Sequence, residues 1–585
     1  MSTRIKNKIG GLNLSYLIAV ISISLSSSLY PQDLDNIKIG LVHSSLTKNL
    51  LHIEDKNFYP VQDWELFFLN KKISYEVFDD EGLDDYDFDE VDILILPSVE
   101  VLSDDGLENL QEFLKEGKGL FVLGKLGVKD DNENNRRIDG LQSLAGIQVN
   151  EFLDRNTIAK KHALYANNFL SHNVQSNSSI IVMNNFQLLY TENASSKIMK
   201  LGEYISEANS EDHLIDKSGI AKFENENGRL LWFGFQLSQI SVDNDADILE
   251  KLLFNGIEWL AGKSIVWVNQ WPFNFNSATV FTSMISNPEG VTIDMIAPFA
   301  IQAMVVKNNY FLNPDAIKSF PGEIEKMPSQ SEIHILYDEL EYLDLSEDEK
   351  ISMLENAAQI LRNKIKQSFY GIKFKNNNEQ NDIIEKFISK YFDFVIYEDN
   401  SIITFEKKRG SLTNNTKMIF PSSNYSLKKN YIYRKNELTE YKKYFNNVHK
   451  CGGIIPVNYI DQFSIFSSSM ESETFKKILS HSMENYSWVT TYSGIVDWRI
   501  KKENISVKLE KIGEKPILRI DIENRNKDKV ANLGIRLILP PKYRNPETVN
   551  NNYSLRYDAL TRSYHLLVPF LLANQSTIVE VRYDN

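Results

Sequence analysis

From Asn36 onward, short apolar runs alternate with amphipathic stretches, the pattern of an α/β layer structure built on a parallel sheet. Runs at 37–42, 73–78 and 91–97 predict three strands, and the third is apolar at nearly every position, so it reads as buried on both faces. Ser103 offers an N-cap to a helix over 107–116, Gly117 and Gly119 close it, and 120–123 supplies the next strand. A strand at 229–234 and a helix over 243–259 complete a flavodoxin-like, doubly wound unit spanning 36–262.

The alternation resumes with strands at 264–268 and 278–282. Ser346 and Glu349 form a capping box ahead of Ile351, Leu354, Ala358, Leu361 and Ile365, which recur at helical spacing. Strands at 371–374, 392–397, 417–421 and 453–457, with a helix over 383–391, give the rhythm of a distorted (β/α) barrel over 264–495. From Asn504 the helical period disappears, and β-rich runs at 505–509, 517–522, 533–539, 564–568 and 577–582 predict a β-sandwich over 500–585. The fold class expected is thus multidomain α/β: doubly wound domain, barrel, sandwich.

Composition supports several packed cores: the chain has 585 residues, 42% of them hydrophobic, which excludes global disorder. Lys and Arg number 64 against 79 Asp and Glu, a formal charge of −15, and no basic stripe is interleaved with aromatics, which excludes nucleic acid as a partner. The single cysteine, Cys451, excludes an intramolecular disulfide and a Cys-rich metal site. Arg4, Lys6 and Lys8 precede an apolar run at 16–25 and serines at 26–28, the order of a secretory signal peptide over 1–30, so the expected location is secreted or periplasmic. That run is too short and too serine-rich for a stable membrane span, and no later segment has the required length.

The region 36–262 resembles the class I glutamine-amidotransferase-like fold through Phe78-Asp79-Asp80, Ile93 to Ser98, the turn Gly117 to Gly124 and the strand Gly228 to Gly234. The family's nucleophilic cysteine sits on a sharp turn after such a strand; here the turn reads Gly124-Lys125-Leu126-Gly127, with no cysteine before Cys451. Glutaminase chemistry by that route is excluded, and the resemblance implies a scaffold or interaction domain.

The region 264–495 resembles the polysaccharide deacetylase family, whose distorted barrel holds a divalent metal with one aspartate and two histidines. Glu332-Ile333-His334-Ile335-Leu336-Tyr337-Asp338 is similar to the family's His-x-x-x-His segment. The strand 278–284 falls where the metal and base aspartates stand, Gly371 to Lys375 where a Gly-x-Arg-x-Pro turn stands, and Cys451 to Asn458 where a late strand brings a catalytic histidine. The match is degenerate: Met284 or its neighbour Ser286 stands where the aspartates should be, Asp338 replaces the second histidine, Lys373 the arginine and Asn458 the late histidine. Zinc catalysis needs about three protein ligands, an open position for water and a nearby base. The resemblance therefore implies a remnant site at His334, Asp338, Met284, Lys373 and Asn458, with no cofactor, in a protein that binds or organises an envelope polysaccharide. Two alternatives stand beside it: an active deacetylase with zinc at His334 and Asp338, and a structural protein packing against an envelope protein partner.

Other residues have two readings. Trp267, Trp271, Trp488 and Trp498 suit sugar stacking or core packing. The acids Asp338, Glu339, Glu341 and Asp344 suit calcium or a solvated helix start. Asp79, Asp80, Asp84 and Asp85 read as surface carboxylates. His449 and Cys451 share a side if a strand extends that far, and could then pair as base and thiol.

Overall fold

A computed structural model describes residues 37–53, 60–152, 159–174, 178–184, 187–206, 213–225, 228–240, 242–285, 307–325, 331–375, 391–398, 418–422, 426–427, 434–460, 469–513, 515–540, 543–549, 553–559 and 561–584. The expected signal peptide over 1–30 and nearly all of the helix expected over 383–391 lie outside these residues.

The first sheet contains β1 (Ile39–Val42), β2 (Glu76–Phe78), β3 (Ile93–Pro97), β4 (Gly119–Leu123), β5 (Ile198–Lys200), β6 (Ile220–Glu224) and β7 (Arg229–Phe233), in the order β2-β1-β3-β4-β7-β6-β5. The first five in that order run parallel, and β6 is antiparallel to both its neighbours. Alternation along β3 feeds two cores. Ile93 and Ile95 share one with Trp64 and Phe68 of the helix Val61–Lys71 and with Leu252 and Ile257 of the helix Val242–Leu260. Leu94 and Leu96 share the other with Leu110 and Phe113 of the helix Asp104–Lys115. Helices on both faces explain why β3 is apolar throughout. Ser103 caps the latter helix by accepting from the Gly106 N–H at 2.8 Å.

An antiparallel sheet of Ala159–Leu164, Ser179–Met183, Gly202–Ser206 and His213–Leu214 is inserted into this region. The alternation did not announce it, because the strand Ala159–Leu164 carries two consecutive lysines, Lys160 and Lys161, ahead of its buried half.

The second large sheet is parallel throughout and curls into a half-barrel. Its strands are β8 (Ser277–Ile285), β9 (Asn308–Leu312), β10 (Glu332–Asp338), β11 (Gly371–Lys375), β12 (Phe394–Glu398), β13 (Met418–Ser422), β14 (Ser426–Leu427), β15 (Ile454–Ile460) and β16 (Ser487–Thr490). The order is β13-β12-β11-β10-β9-β8-β15-β14. One edge of β8 is divided: β16 pairs with Ser277 to Val280, and β9 with Phe281 to Ile285. Asn309 secures that junction, its Nδ2 donating to the Phe281 carbonyl at 3.0 Å and its Oδ1 accepting from the Tyr492 N–H at 3.1 Å. On the outer face, Ile333, Ile335, Tyr337 and Ile372 pack with Leu354, Ala358 and Leu361 of the helix Glu347–Lys364. The expected capping box is formed there: the Glu349 carboxylate accepts from the Ser346 N–H at 2.9 Å, and Ser346 Oγ accepts from the Glu349 N–H at 3.4 Å.

The C-terminal part holds two four-stranded antiparallel sheets. One contains Ile265–Val268, Val530–Ile538, Ser563–Leu571 and Ser554–Asp558; the other Ile505–Lys511, Ile517–Asn524, Ser576–Asp584 and Arg544–Thr548. Ile520, Ile522, Leu533, Ile535, Leu566 and Val579 from both sheets share a core that continues, through Trp271 and Trp498, into the inner face of the half-barrel at Phe311, Leu336 and Phe394. The strand Ile265–Val268, expected to open the second region, pairs with Val530–Ile538 instead. The reason lies in its two apolar faces. Ile265 and Trp267 join the core of the first sheet, while Val266 and Val268 pack against the C-terminal core. Arg536 is fully buried beside it, bonded to Asp558 at 2.6 Å and to Asn274 at 2.7 Å. Among the described residues, no helix is long and apolar enough to cross a membrane.

Candidate functional site

The remnant site expected from the sequence falls on the half-barrel, and strand register decides what meets. Met284 of β8 stands opposite Phe311 of β9, Phe311 opposite His334 of β10, and Gly371 of β11 opposite Phe394 of β12. Laterally paired residues of a parallel sheet point to one face, so this row lines the inner side. The His334 ring is fully buried, 5.3 Å from the Phe311 ring and 5.0 Å from the Phe394 ring. Phe394 reaches it because Gly371 has no side chain: a Cβ there would lie 2.1 Å from Phe394 Cε2.

Both histidine nitrogens face protein groups. Nδ1 accepts from the Gly371 N–H at 3.2 Å. An accepting Nδ1 in the neutral ring assigns the proton to Nε2, which lies 3.4 Å from Glu332 Oε2 without the alignment of a hydrogen bond. Glu332 in turn accepts from Thr491 Oγ1 at 2.7 Å and from the Ser493 N–H at 3.2 Å. Burial works to raise the Glu332 carboxyl; the contacts from His334, Thr491 and Ser493 overcome it and hold the group below the usual carboxylate range. This cluster ties β10 to the start of the helix Tyr492–Glu503, whose N-cap is Thr491. Glu332 was not singled out from the sequence. Its signal was there, in the two-residue spacing that puts it on the same strand face as His334.

Asp338 lies four residues beyond His334 on the same face of β10, about 13 Å along a strand at 3.3 Å per residue. Its carboxylate accepts from the Leu340 N–H at 3.1 Å and caps the short turn Glu339–Tyr342. The structure does not bring the two together, because a spacing of four that closes a helical turn spreads out along a strand. Lys373, opposite Leu336, is buried with its Nζ 6.0 Å from the centre of the Phe311 ring. Met284 is partly buried and packs against the shared core. Asn458 is placed by its backbone, opposite Thr282 and Ser426, and its side chain lies outside the described residues. An enclosed imidazole with an engaged Nδ1, and a carboxylate about 13 Å away, do not fit a zinc centre built on His334 and Asp338. Among the described residues, no group of three or more His, Cys, Asp or Glu side chains could hold a metal ion.

The other candidates resolve into packing and capping. His449 lies in the last turn of the helix Arg434–Lys450 and Cys451 in the turn after it, so the strand that would have put them side by side is not formed. His449 Nδ1 meets Ser277 Oγ at 2.8 Å, and its ring stacks on Phe445. Cys451 is buried, and burial, reinforced by Glu203, pushes its thiol up to about 12. Trp267 is buried in the core of the first sheet, Trp271 and Trp498 are buried in the core shared with the C-terminal sheets, and Trp488 is half-buried against the latter. Trp271 and Trp498 donate to the carbonyls of Gly452 and Gln270, each at 2.9 Å. Asp79 caps a helical turn by accepting from the Gly82 N–H at 2.9 Å.

No protein-family model and no curated protein matches the chain. Among solved structures, the chain overlaps a β-galactosidase from Rahnella sp. R3 at 13% identity and a TM-score of 0.28, covering 37% of this chain and 31% of that one. It overlaps a protein assigned as a polysaccharide deacetylase from Mycobacterium smegmatis at 13% identity and a TM-score of 0.30, covering 40% and 93%. The Xyl-CE4 domain of a multidomain xylanase from the hindgut metagenome of Trinervitermes trinervoides overlaps at 11% identity and a TM-score of 0.25, covering 38% and 92%. The chain thus spans about a third of the length of the β-galactosidase.

Proposed function

We propose that the chain is a secreted, polysaccharide-deacetylase-like protein that binds or organises carbohydrate at the cell envelope without metal-dependent catalysis at His334. On this reading 36–262 is an amidotransferase-like scaffold, 264–495 the deacetylase-like barrel and 500–585 a β-sandwich. The observation that supports the loss of catalysis is the enclosure of His334: its side chain is 0% exposed, its Nδ1 is taken by the Gly371 N–H, and Phe311 and Phe394 close over the ring. A zinc ligand must aim a nitrogen lone pair at the metal, and the metal must keep a position open to water; here the Nδ1 lone pair is taken by the Gly371 N–H and two aromatic rings fill the space around the imidazole. The carbohydrate class is drawn from the order of deacetylase-like motifs along 264–495.

Calorimetric titration of the full chain with zinc, cobalt and nickel, alongside affinity electrophoresis through acetylated polysaccharides, tests this. Expected are retardation by a polysaccharide and no stoichiometric metal site. A tight zinc site lost in His334→Ala, or acetate release abolished by that substitution, overturns the reading in favour of an active deacetylase. Absence of retardation together with co-purification of an envelope protein overturns it in favour of a structural role.

A further inference from the structure

β2 lies at one margin of the first sheet: among the described residues it pairs with β1 and with no strand on its other side. Its ladder shows which backbone groups are left over. The Phe78 carbonyl accepts from the N–H of His43, just past β1, at 2.7 Å, and successive residues of a strand turn their N–H and C=O to opposite edges. The N–H and C=O of Val77 therefore both point away from the sheet. Its side chain is 52% exposed.

The flank of this edge is apolar. Tyr75 packs on Phe68 of the helix Val61–Lys71 with ring centres 4.9 Å apart, so Val77, two residues on, shares the sheet face that this helix covers. The helix turns Phe67 and Lys71 toward the helix Val242–Leu260, where Phe67 lies 5.5 Å from Phe254 and Lys71 Nζ 2.6 Å from Glu250. Leu69, two residues from each, is turned to the opposite side and is 73% exposed. Because Val242–Leu260 packs on β4 and β7 in the middle of the sheet, that opposite side is the one toward β2.

Charge follows the direction of the strand. Lys72 precedes Val77, Asp79 and Glu81 follow it, and all three are exposed. Two such strands meeting antiparallel, Val77 on Val77, carry the cation of each toward the acids of the other and set Glu76 opposite Phe78; a parallel meeting would set like charges face to face.

We propose that β2 is the surface through which two copies of this chain associate, antiparallel about a two-fold axis at Val77. Each Val77 exchanges both of its outward backbone hydrogen bonds with Val77 of the partner subunit, and the seven strands of one sheet continue into those of the other. Both copies use the same edge, so the assembly closes at two.

Sedimentation of the full chain over about 1–100 μM tests this. Expected is a monomer–dimer equilibrium, weakened tenfold or more by Lys72→Glu and restored when Glu81→Lys is added to it. Val77→Pro, tolerated in an edge strand where the N–H faces outward, should leave a folded monomer. Val77→Cys should give a covalent dimer on mild oxidation, since residues in such a pair have Cα atoms about 5.5 Å apart and the native Cys451 is buried. Ile138→Cys, at an equally exposed position, should not. Lys72→Glu and Val77→Cys, both at exposed positions, decide the matter if Val77→Pro does not fold. A chain that stays monomeric over the whole range overturns the proposal, as does a dimer indifferent to Lys72→Glu and not cross-linked by Val77→Cys, which would lie on another surface. A monomer that instead retains a different protein on purification, lost in Val77→Pro, overturns it in favour of that occupant.

Discussion

The two parallel sheets are built from the same strand type and use their interiors differently. In the first sheet both faces of β3 are covered by helices, and the polar groups gather at the carboxyl edge. In the half-barrel the inner face is filled by Phe311, His334, Phe394 and Leu336 and merges with the core of the C-terminal sheets. A histidine on a barrel strand is therefore no guide to chemistry until its row is known. Here the row is aromatic, and His334 acts as a polar pin within it.

The comparison can be broken most decisively at that pin. His334→Ala should destabilise the protein by about 3–5 kcal/mol, because it opens a cavity between two rings and takes one polar neighbour from the buried Glu332 carboxylate, which keeps Thr491 and Ser493. Urea unfolding should show the same loss with and without a chelator; a loss confined to metal-containing buffer would make His334 a ligand after all.

The next effect sharpens the first region. Burial pushes the His172 ring down to about 4 and the His162 ring to about 3. Both histidines belong to the first region and are neutral when folded, whereas the unfolded chain takes up protons near pH 6.5. The unfolded state then binds more protons between pH 6.5 and 4, so stability is complete above 6.5 and declines as pH falls through that window. For His172 the full decline is about 3 kcal/mol. His172→Asn should flatten the dependence of the urea midpoint on pH there; an unchanged slope counts against a neutral buried ring.

Gly371→Ala should cost about 1–3 kcal/mol by forcing Phe394 off His334. A neutral result by thermal unfolding would mean the row has slack. The smallest effect lies on the outer face, where Ser346→Ala should remove about 1 kcal/mol through loss of the cap on Glu347–Lys364, measurable as a small shift in the urea midpoint.

Most strands of both sheets were legible in the sequence because burial on both faces makes β3 and β4 continuous apolar runs and outer-face packing gives the helix after Ser346 its period. The candidate site was less so. Spacing placed His334 and Asp338 on one face but could not say that β10 would carry them about 13 Å apart, nor that Gly371 would let Phe394 lean across. The polar edge of the first sheet was hidden for another reason: Ser98 and Glu100 follow β3 and Gln236 follows β7, and only the sheet order brings these strand ends together. The strand Ile265–Val268 misled because its partner lies in the last region.

That pairing also sets an order of assembly during synthesis. Ile265–Val268 emerges from the ribosome long before Val530–Ile538, and at 5–20 residues per second the wait is on the order of tens of seconds. For that interval a short, two-sided apolar strand has an unclaimed edge, open to capture by chaperones or by a neighbouring nascent chain. A chain truncated before Val530 would keep that edge unclaimed.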